Sequence, residues 1–239
     1  MLHIVPEIEH YPEIKERMLD AQESWSKRAP APTRLPLPQY APWSVIGQVA
    51  EADHLLESLG LSVMLRAYLR PSELLKIKSD DIVSPTIIDN DSAKVYGLVL
   101  NSTEVAHGDL VDVGDLAASK TGCYNENIIF DLEDELWIGQ ALARLARGKS
   151  KGALLFPFTR EHLNKVFKEG VKECLAEHLG HTVYVMRHTG PSLDFLEARR
   201  PDSSIKGRVR WLSDASTRRY EQSTLALKQA QKWDLRVLR

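Results

Sequence analysis

The sequence predicts a mainly α-helical chain with one small antiparallel β-sheet, an α+β fold, and three observations carry that prediction. Apolar residues recur at helical spacing on either side of a central region, at Val45, Val49, Leu56 and Leu59 before it and at Leu163, Val166, Phe167 and Val171 after it. The central region, residues 82–131, instead breaks into short β-rich runs, TIID, VYGLVL and NIIF, separated by Asp, Asn, Gly and Ser clusters. At 239 residues, 43% hydrophobic and 27% charged, the chain has the length and composition of a globular protein with a proper core.

Taken in order, the chain opens with a polar helical candidate over Pro12–Ser26, followed by the proline-dense stretch APAPTRLPLPQYAP. Proline at this density favours extended backbone and cannot continue a helix, so it reads as a linker with a domain boundary near residue 40. That gives an N-terminal segment of 1–40 and a main domain of 41–239. A helix is expected from Ser44, which can cap it, until Gly60 stops the run. LSVMLRAYL (61–69) reads as a second helix, apolar on most sides and so buried. Pro71 opens a third, short helix, at a first-turn position where its missing N–H costs little. After the sheet, Leu132, Leu136, Ile138, Leu142 and Leu145 form one helical face, and Leu163 through Leu175 form another. Short helices are expected over 186–198, 203–210 and 214–231.

Several classes are set aside early. No long apolar run is present, so no membrane span is expected. The N-terminus lacks the basic-then-apolar layout of a secretory signal. Cys123 and Cys174 form no metal-like or redox-like spacing, which fits a reducing compartment. The formal charge of −2 conceals an uneven distribution. Residues 181–239 hold 12 Lys and Arg against 6 Asp and Glu, a net of +6, while residues 1–180 carry the remaining 19 against 27, a net of −8. A basic C-terminal quarter on an acidic body fits a localised anionic partner, or else a solvated basic helix face.

The densest chemistry lies between Tyr184 and Tyr220. Arg187 sits in YVMRHT, and Arg199, Arg200, Lys206, Arg208 and Arg210 form a basic segment. Trp211 follows, and nine residues later Tyr220 stands behind Arg218 and Arg219. A tyrosine just after phosphate-binding side chains suggests covalent attack on a phosphodiester; ordinary helix packing is the alternative. Upstream, Arg70 in AYLRPSELLKI is a permanent charge at the end of a buried helix. Such a charge is costly unless an anion meets it, and Glu73, three residues on, can orient it.

AYLRPSELLKI resembles the first arginine box of the tyrosine recombinase (phage integrase) family, an apolar helix ending in Leu-Arg-x-x-Glu-Leu. The other landmarks follow in order. Lys120 in ASKTG resembles the lysine of the β-hairpin turn, and Arg187 in YVMRHT resembles the arginine of the second box. Trp211 matches the position that holds His or Trp, and Tyr220 in STRRY matches the nucleophile. The resemblance covers roughly residues 40–235 and implies the DNA breaking-rejoining catalytic domain, with most of the N-terminal core-binding domain lacking.

That resemblance implies a specific chemistry. Arg70 and Arg187 would fork-bond the equatorial oxygens of a DNA phosphodiester while remaining charged. Preorganised donors of this kind are worth about 2.7–4 kcal/mol each in the transition state. Tyr220 would attack phosphorus and hold the DNA 3′ end. Its ordinary pKa near 10 would be lowered by nearby arginine charge. Lys120, the general acid in the family, would protonate the leaving 5′-oxygen. The Trp211 indole N–H would donate to a non-bridging oxygen. Since the ester bond is kept in the phosphotyrosine, a 5′-hydroxyl can reverse the step, and no cofactor or metal is implied. Arg199, Arg200, Lys206, Arg208, Arg210, Arg218 and Arg219 are the expected DNA-binding set.

Two departures qualify the resemblance. Tyr184 stands where the second box usually begins with His, so a hydrogen bond to phosphate replaces an imidazole base; neighbouring His188 is expected to support the fold. Residues 1–40 are too short for the helical domain that closes over DNA in family members. The expected partner is double-stranded DNA in an intracellular, DNA-containing compartment. The C-terminal tail, STLALKQAQKWDLRVLR, is expected to dock into a neighbouring protomer on DNA or to cover its own core. A catalytically impaired DNA-binding relic, a topoisomerase-like variant and an unrelated α-rich interaction domain remain the competing readings.

Overall fold

The computed structural model describes residues 16–17, 36–85, 95–100, 126–174 and 182–210. The chain divides into two compact units, Met1–Arg34 and Leu35–Arg239. Of the first, Glu16 and Arg17 are described, and both are helical; the rest of the helix predicted over Pro12–Ser26 lies outside the described residues. The second unit starts ahead of the boundary that proline density suggests. Its early residue Leu37 is fully buried, and the Leu37 N–H donates to the Thr189 hydroxyl at 3.0 Å.

Helix α1, Ala41–Glu51, begins after Tyr40 with Pro42 in its first turn, a position that needs no N–H. Ser44 does not cap it; its hydroxyl turns back onto the Tyr40 carbonyl at 3.2 Å. The chain reverses at Ala52–His54, where Asp53 has φ of 65°, and helix α2 follows over Leu55–Ala67. This corrects the expectation that one helix runs to Gly60. Gly60 lies inside α2 because space is short there: a Cβ would stand 3.1 Å from the Leu74 side chain. Helix α2 is buried on every side from Leu61 to Ala67, as its apolar sequence predicts. It ends on Tyr68, in the left-handed region with φ of 55°, and helix α3, Pro71–Leu74, starts three residues later.

The sheet has the order β1-β2-β3 and is antiparallel throughout, with β1 at Ile82–Val83, β2 at Tyr96–Leu100 and β3 at Glu126–Phe130. Leu98 faces Ile128 across the β2–β3 ladder. Leu98, Leu100, Ile128 and Phe130 are buried on one face, while Val83 and Ile129 are exposed on the other. VYGLVL and NIIF are therefore strands, and TIID falls outside the described residues.

A 3-10 turn at Glu133–Glu135 leads into helix α4, Leu136–Arg147, which packs on the sheet. Helix α5, Arg160–Glu173, is capped by Thr159, whose hydroxyl accepts from the His162 N–H at 3.1 Å, and it packs against α1. Helix α6, Val185–Leu196, and helix α7, Asp202–Val209, follow. Helix α6 lies so close to α2 that a Cβ on Gly190 would collide with the Leu65 carbonyl oxygen. No helix among the described residues is long and apolar enough to cross a membrane. The architecture is the predicted one, mostly helical with one small antiparallel sheet.

Candidate functional site

The site is built where the end of α2, the start of α6 and the end of α7 meet. The left-handed turn at Tyr68 ends α2 and leaves Arg70 at the N-cap of α3 in extended backbone, with φ of −72° and ψ of 150°. Glu73, in the first turn of α3, reaches back and accepts from the Arg70 backbone N–H at 2.7 Å. Its other oxygen pairs with the Arg70 guanidinium. Arg70 is thus fixed at both its backbone and its side chain by one carboxylate.

Arg187 reaches the same carboxylate from α6, held in place by the close approach at Gly190. Its Nη1 donates to the Tyr68 carbonyl at 2.6 Å and stands 3.3 Å from Glu73 Oε2, while Nη2 donates to the Val209 carbonyl at 2.9 Å. Arg210 comes from the end of α7, where it takes a left-handed conformation with φ of 61°. Its Nη2 lies 2.6 Å from Glu73 Oε2, and its Nε lies 3.3 Å from Glu126 on β3. Residues 70, 187 and 210, far apart in sequence, therefore converge on Glu73.

The charge balance of this cluster decides what it can hold. Among the described residues, three guanidiniums face two carboxylates, Glu73 and Glu126, so one positive charge is left over. Burial, opposed by Glu73 and reinforced by Arg70 and Arg210, pulls the Arg187 guanidinium down to about 10, so it stays charged at neutral pH. Burial likewise lowers Arg210, with Glu73 and Glu126 offsetting part of it. For Arg70, burial opposes the charge, but Glu73 and Tyr184 outweigh it and hold the group above its usual value. Burial raises Glu126 against the pull of Arg210. Tyr184 acts electrostatically on the Arg70 guanidinium, so the residue in the place of the usual His belongs to the cluster. His188 stacks edge-on behind it, with ring centroids 5.0 Å apart.

A second ionic network, in the interior, takes in three arginines of the expected DNA-binding set, Arg199, Arg200 and Arg208. Arg200 is 6% exposed and meets Glu135 at 2.6 Å, Asp131 at 2.7 Å and Asp194 at 3.2 Å. Arg208 meets Glu135 at 3.2 Å, donates to the Arg66 and Ile129 carbonyls, and lies over the Tyr68 and Phe130 rings. Arg199 is tied to Asp134 at 2.7 Å and Asp194 at 3.3 Å. With Arg66, four arginines meet five carboxylates (Asp131, Asp134, Glu135, Asp194 and Glu197), which leaves no positive charge for an outside anion. Arg199, Arg200 and Arg208 thus hold α6 and α7 to the turn before α4. Lys206 is half-buried on α7.

Arg66 and its partners Asp194 and Asp134 were missed by sequence reading. The available signal was an arginine inside the apolar run LSVMLRAYL, where no solvated face exists for it. Tyr68, whose hydroxyl donates to Asp194, is pushed well above the ordinary tyrosine range, first by burial and then by that carboxylate. Lys120, Trp211, Arg218, Arg219 and Tyr220 lie outside the described residues.

No protein-family model matches the chain, and no curated protein is similar to it in sequence. Solved structures are similar in fold. The XerH site-specific recombinase bound to palindromic difH substrate, in a post-cleavage complex, aligns with a TM-score of 0.57 at 13% identity. That match covers 83% of this chain and 53% of XerH. The pre-cleavage complex of XerH with difH aligns with a TM-score of 0.55 at 15% identity, covering 85% of this chain and 53% of the other. This chain shares its fold with these recombinase structures. The chain spans about half the length of these recombinases, and the likeness is one of fold at 13–15% identity.

Proposed function

We propose that this chain cuts and rejoins double-stranded DNA, as a site-specific recombinase or integrase, through a 3′-phosphotyrosyl intermediate on Tyr220. The observation that carries the reading is the convergence of Arg70, Arg187 and Arg210 on one carboxylate, with positive charge in excess, inside a recombinase-like fold. Glu73 aligns the guanidiniums, and a phosphodiester takes up the uncompensated charge on their outer edge. Tyr220, as the phenolate that nearby arginine charge favours, attacks phosphorus; the bond from phosphorus to the 5′-oxygen breaks, and Lys120 delivers a proton to that oxygen. A 5′-hydroxyl then attacks the phosphotyrosine, returns the proton to Lys120 and releases Tyr220. Trp211 donates its indole N–H to a non-bridging oxygen, and Tyr184 orients Arg70. Lys206, Arg218 and Arg219 contact the flanking backbone.

A second reading rests on the state of Arg187. Its two amino groups are bonded to backbone carbonyls and its side chain is 3% exposed, so in this arrangement it holds Tyr68 and Val209 rather than a ligand. A chain locked this way would bind DNA without cutting it. Incubation with a library of nicked suicide duplexes separates the two. The recombinase reading expects a covalent protein–DNA adduct that disappears in Tyr220→Phe. The binding-only reading expects salt-sensitive retention of duplex without adduct, equal in both proteins. A tail over 223–239 that docks into a second protomer on DNA belongs to the first reading, and unchanged sedimentation after removal of the last dozen residues would remove that part.

A further inference from the structure

Away from the arginine cluster, at the opposite end of α2, two histidines and a glutamate share one point. His54 precedes α2, Glu57 lies in its first turn, and His162 lies in the first turn of α5. One oxygen, Glu57 Oε1, is 2.6 Å from His162 Nε2 and 3.7 Å from His54 Nδ1, and the three donor atoms all lie within 4.8 Å of one another. We propose that His54, Glu57 and His162 form a binding site for a divalent transition-metal ion that staples the start of α2 to the start of α5.

The chemistry of the donors selects the class of ion. Two imidazole nitrogens and one carboxylate oxygen suit zinc, cobalt, nickel or copper rather than the all-oxygen shells of magnesium or calcium. Ligand atoms about 2.1 Å from a tetrahedral ion stand roughly 3.4 Å apart. The two separations made by Glu57 bracket that figure and the third is at most 4.8 Å, so adjustments of up to about 1.5 Å would bring all three onto an ion. The side chains have the freedom to make them: His54, Glu57 and His162 are 37%, 13% and 42% exposed. That exposure also leaves room for water in a fourth position.

The scaffold is firm where it must be. The Thr159 hydroxyl fixes the His162 backbone, and the Ser58 N–H bonds to the His54 carbonyl at 2.9 Å. The rings of His54 and His162 stand 6.0 Å apart at 70°, and Phe158 packs 6.0 Å from His162. The two imidazoles thus meet edge-on and are not stacked. At about 1.5 Å per residue, the eleven steps from Glu57 to Tyr68 place the site roughly 16 Å from the arginine cluster. The ion is therefore structural, with no part in phosphoryl transfer.

The test uses the full chain, stripped with chelator and titrated with cobalt(II), with zinc(II) in parallel. The expected result is one bound cobalt with the visible absorption of a four-coordinate site, and a melting temperature that zinc raises and chelator restores. In the double variant His54→Gln, His162→Gln, both signals should vanish while far-ultraviolet circular dichroism keeps its helical content, since glutamine can still bond Glu57. Absence of binding by the native chain overturns the proposal. Binding that persists unchanged in the double variant also overturns it, because the ion would then lie on other ligands among the chain's 8 histidines.

Discussion

Single residues show how the arginines divide between holding the fold and facing a ligand. Arg187 is the extreme case, with a buried guanidinium bonded to two carbonyls and near Glu73. Replacing it with alanine leaves those acceptors without donors. Arg187→Ala should cost about 3 kcal/mol or more of stability in denaturant unfolding; a loss below 1 kcal/mol would place the group outside the core. Arg210 offers a cleaner dissection because its backbone is left-handed. Both Arg210→Gly and Arg210→Ala lose the contacts to Glu73 and Glu126, but glycine alone relieves the backbone. The glycine variant should be the more stable by about 1 kcal/mol, and both should retain duplex less well than the native chain. Arg70 and Arg187 were legible in the sequence because each sits in a short local box. The interior roles of Arg200 and Arg208 were not, since Glu135, which both meet, and Asp131, which Arg200 meets, come from a distant segment that a charge count treats as unrelated.

Elements position these residues through contacts that helical periodicity only partly reveals. The expected stop at Gly60 was misplaced because glycine can signal a turn or a tight approach, and sequence spacing does not separate the two. The real break at Ala52–His54 carries a left-handed Asp53, a choice open to aspartate but not demanded by it. Gly190 is the same problem at greater consequence: it lets α6 lie against α2 and so carries Arg187 to the Tyr68 carbonyl. Gly190→Ala should destabilise the chain by about 1–3 kcal/mol and weaken duplex retention together. Stability lost with duplex retention intact would show that the α2–α6 spacing does not set the arginine geometry. The strands VYGLVL and NIIF were readable as short β-rich runs bounded by turn residues, and one face of the sheet they form is buried.

At the scale of the whole molecule, ion pairs link stability to pH. Burial alone would raise Asp134, yet Arg199 and Arg66 outweigh it and hold it below the ordinary value; Glu57 is lowered in the same sense by His162 against burial. A carboxylate depressed in the folded state stabilises above its unfolded value and loses that contribution as pH falls through the folded one. Melting temperature should therefore be level near neutrality and fall below about pH 4.5, and Asp134→Asn should flatten that fall. An identical acid profile in the variant would show that the Asp134 pairs contribute nothing. The global charge of −2 concealed both the net-acidic interior network and the net-positive cluster at Glu73, because only folding sorts the arginines between them. The central claim, that this cluster grips a phosphodiester for attack by a phenol, is tested most directly by trapping the chain on a nicked duplex, digesting the DNA and mapping the nucleotide-bearing peptide by mass spectrometry. The account predicts the nucleotide on Tyr220; a nucleotide on any other residue, or none at all, would contradict it.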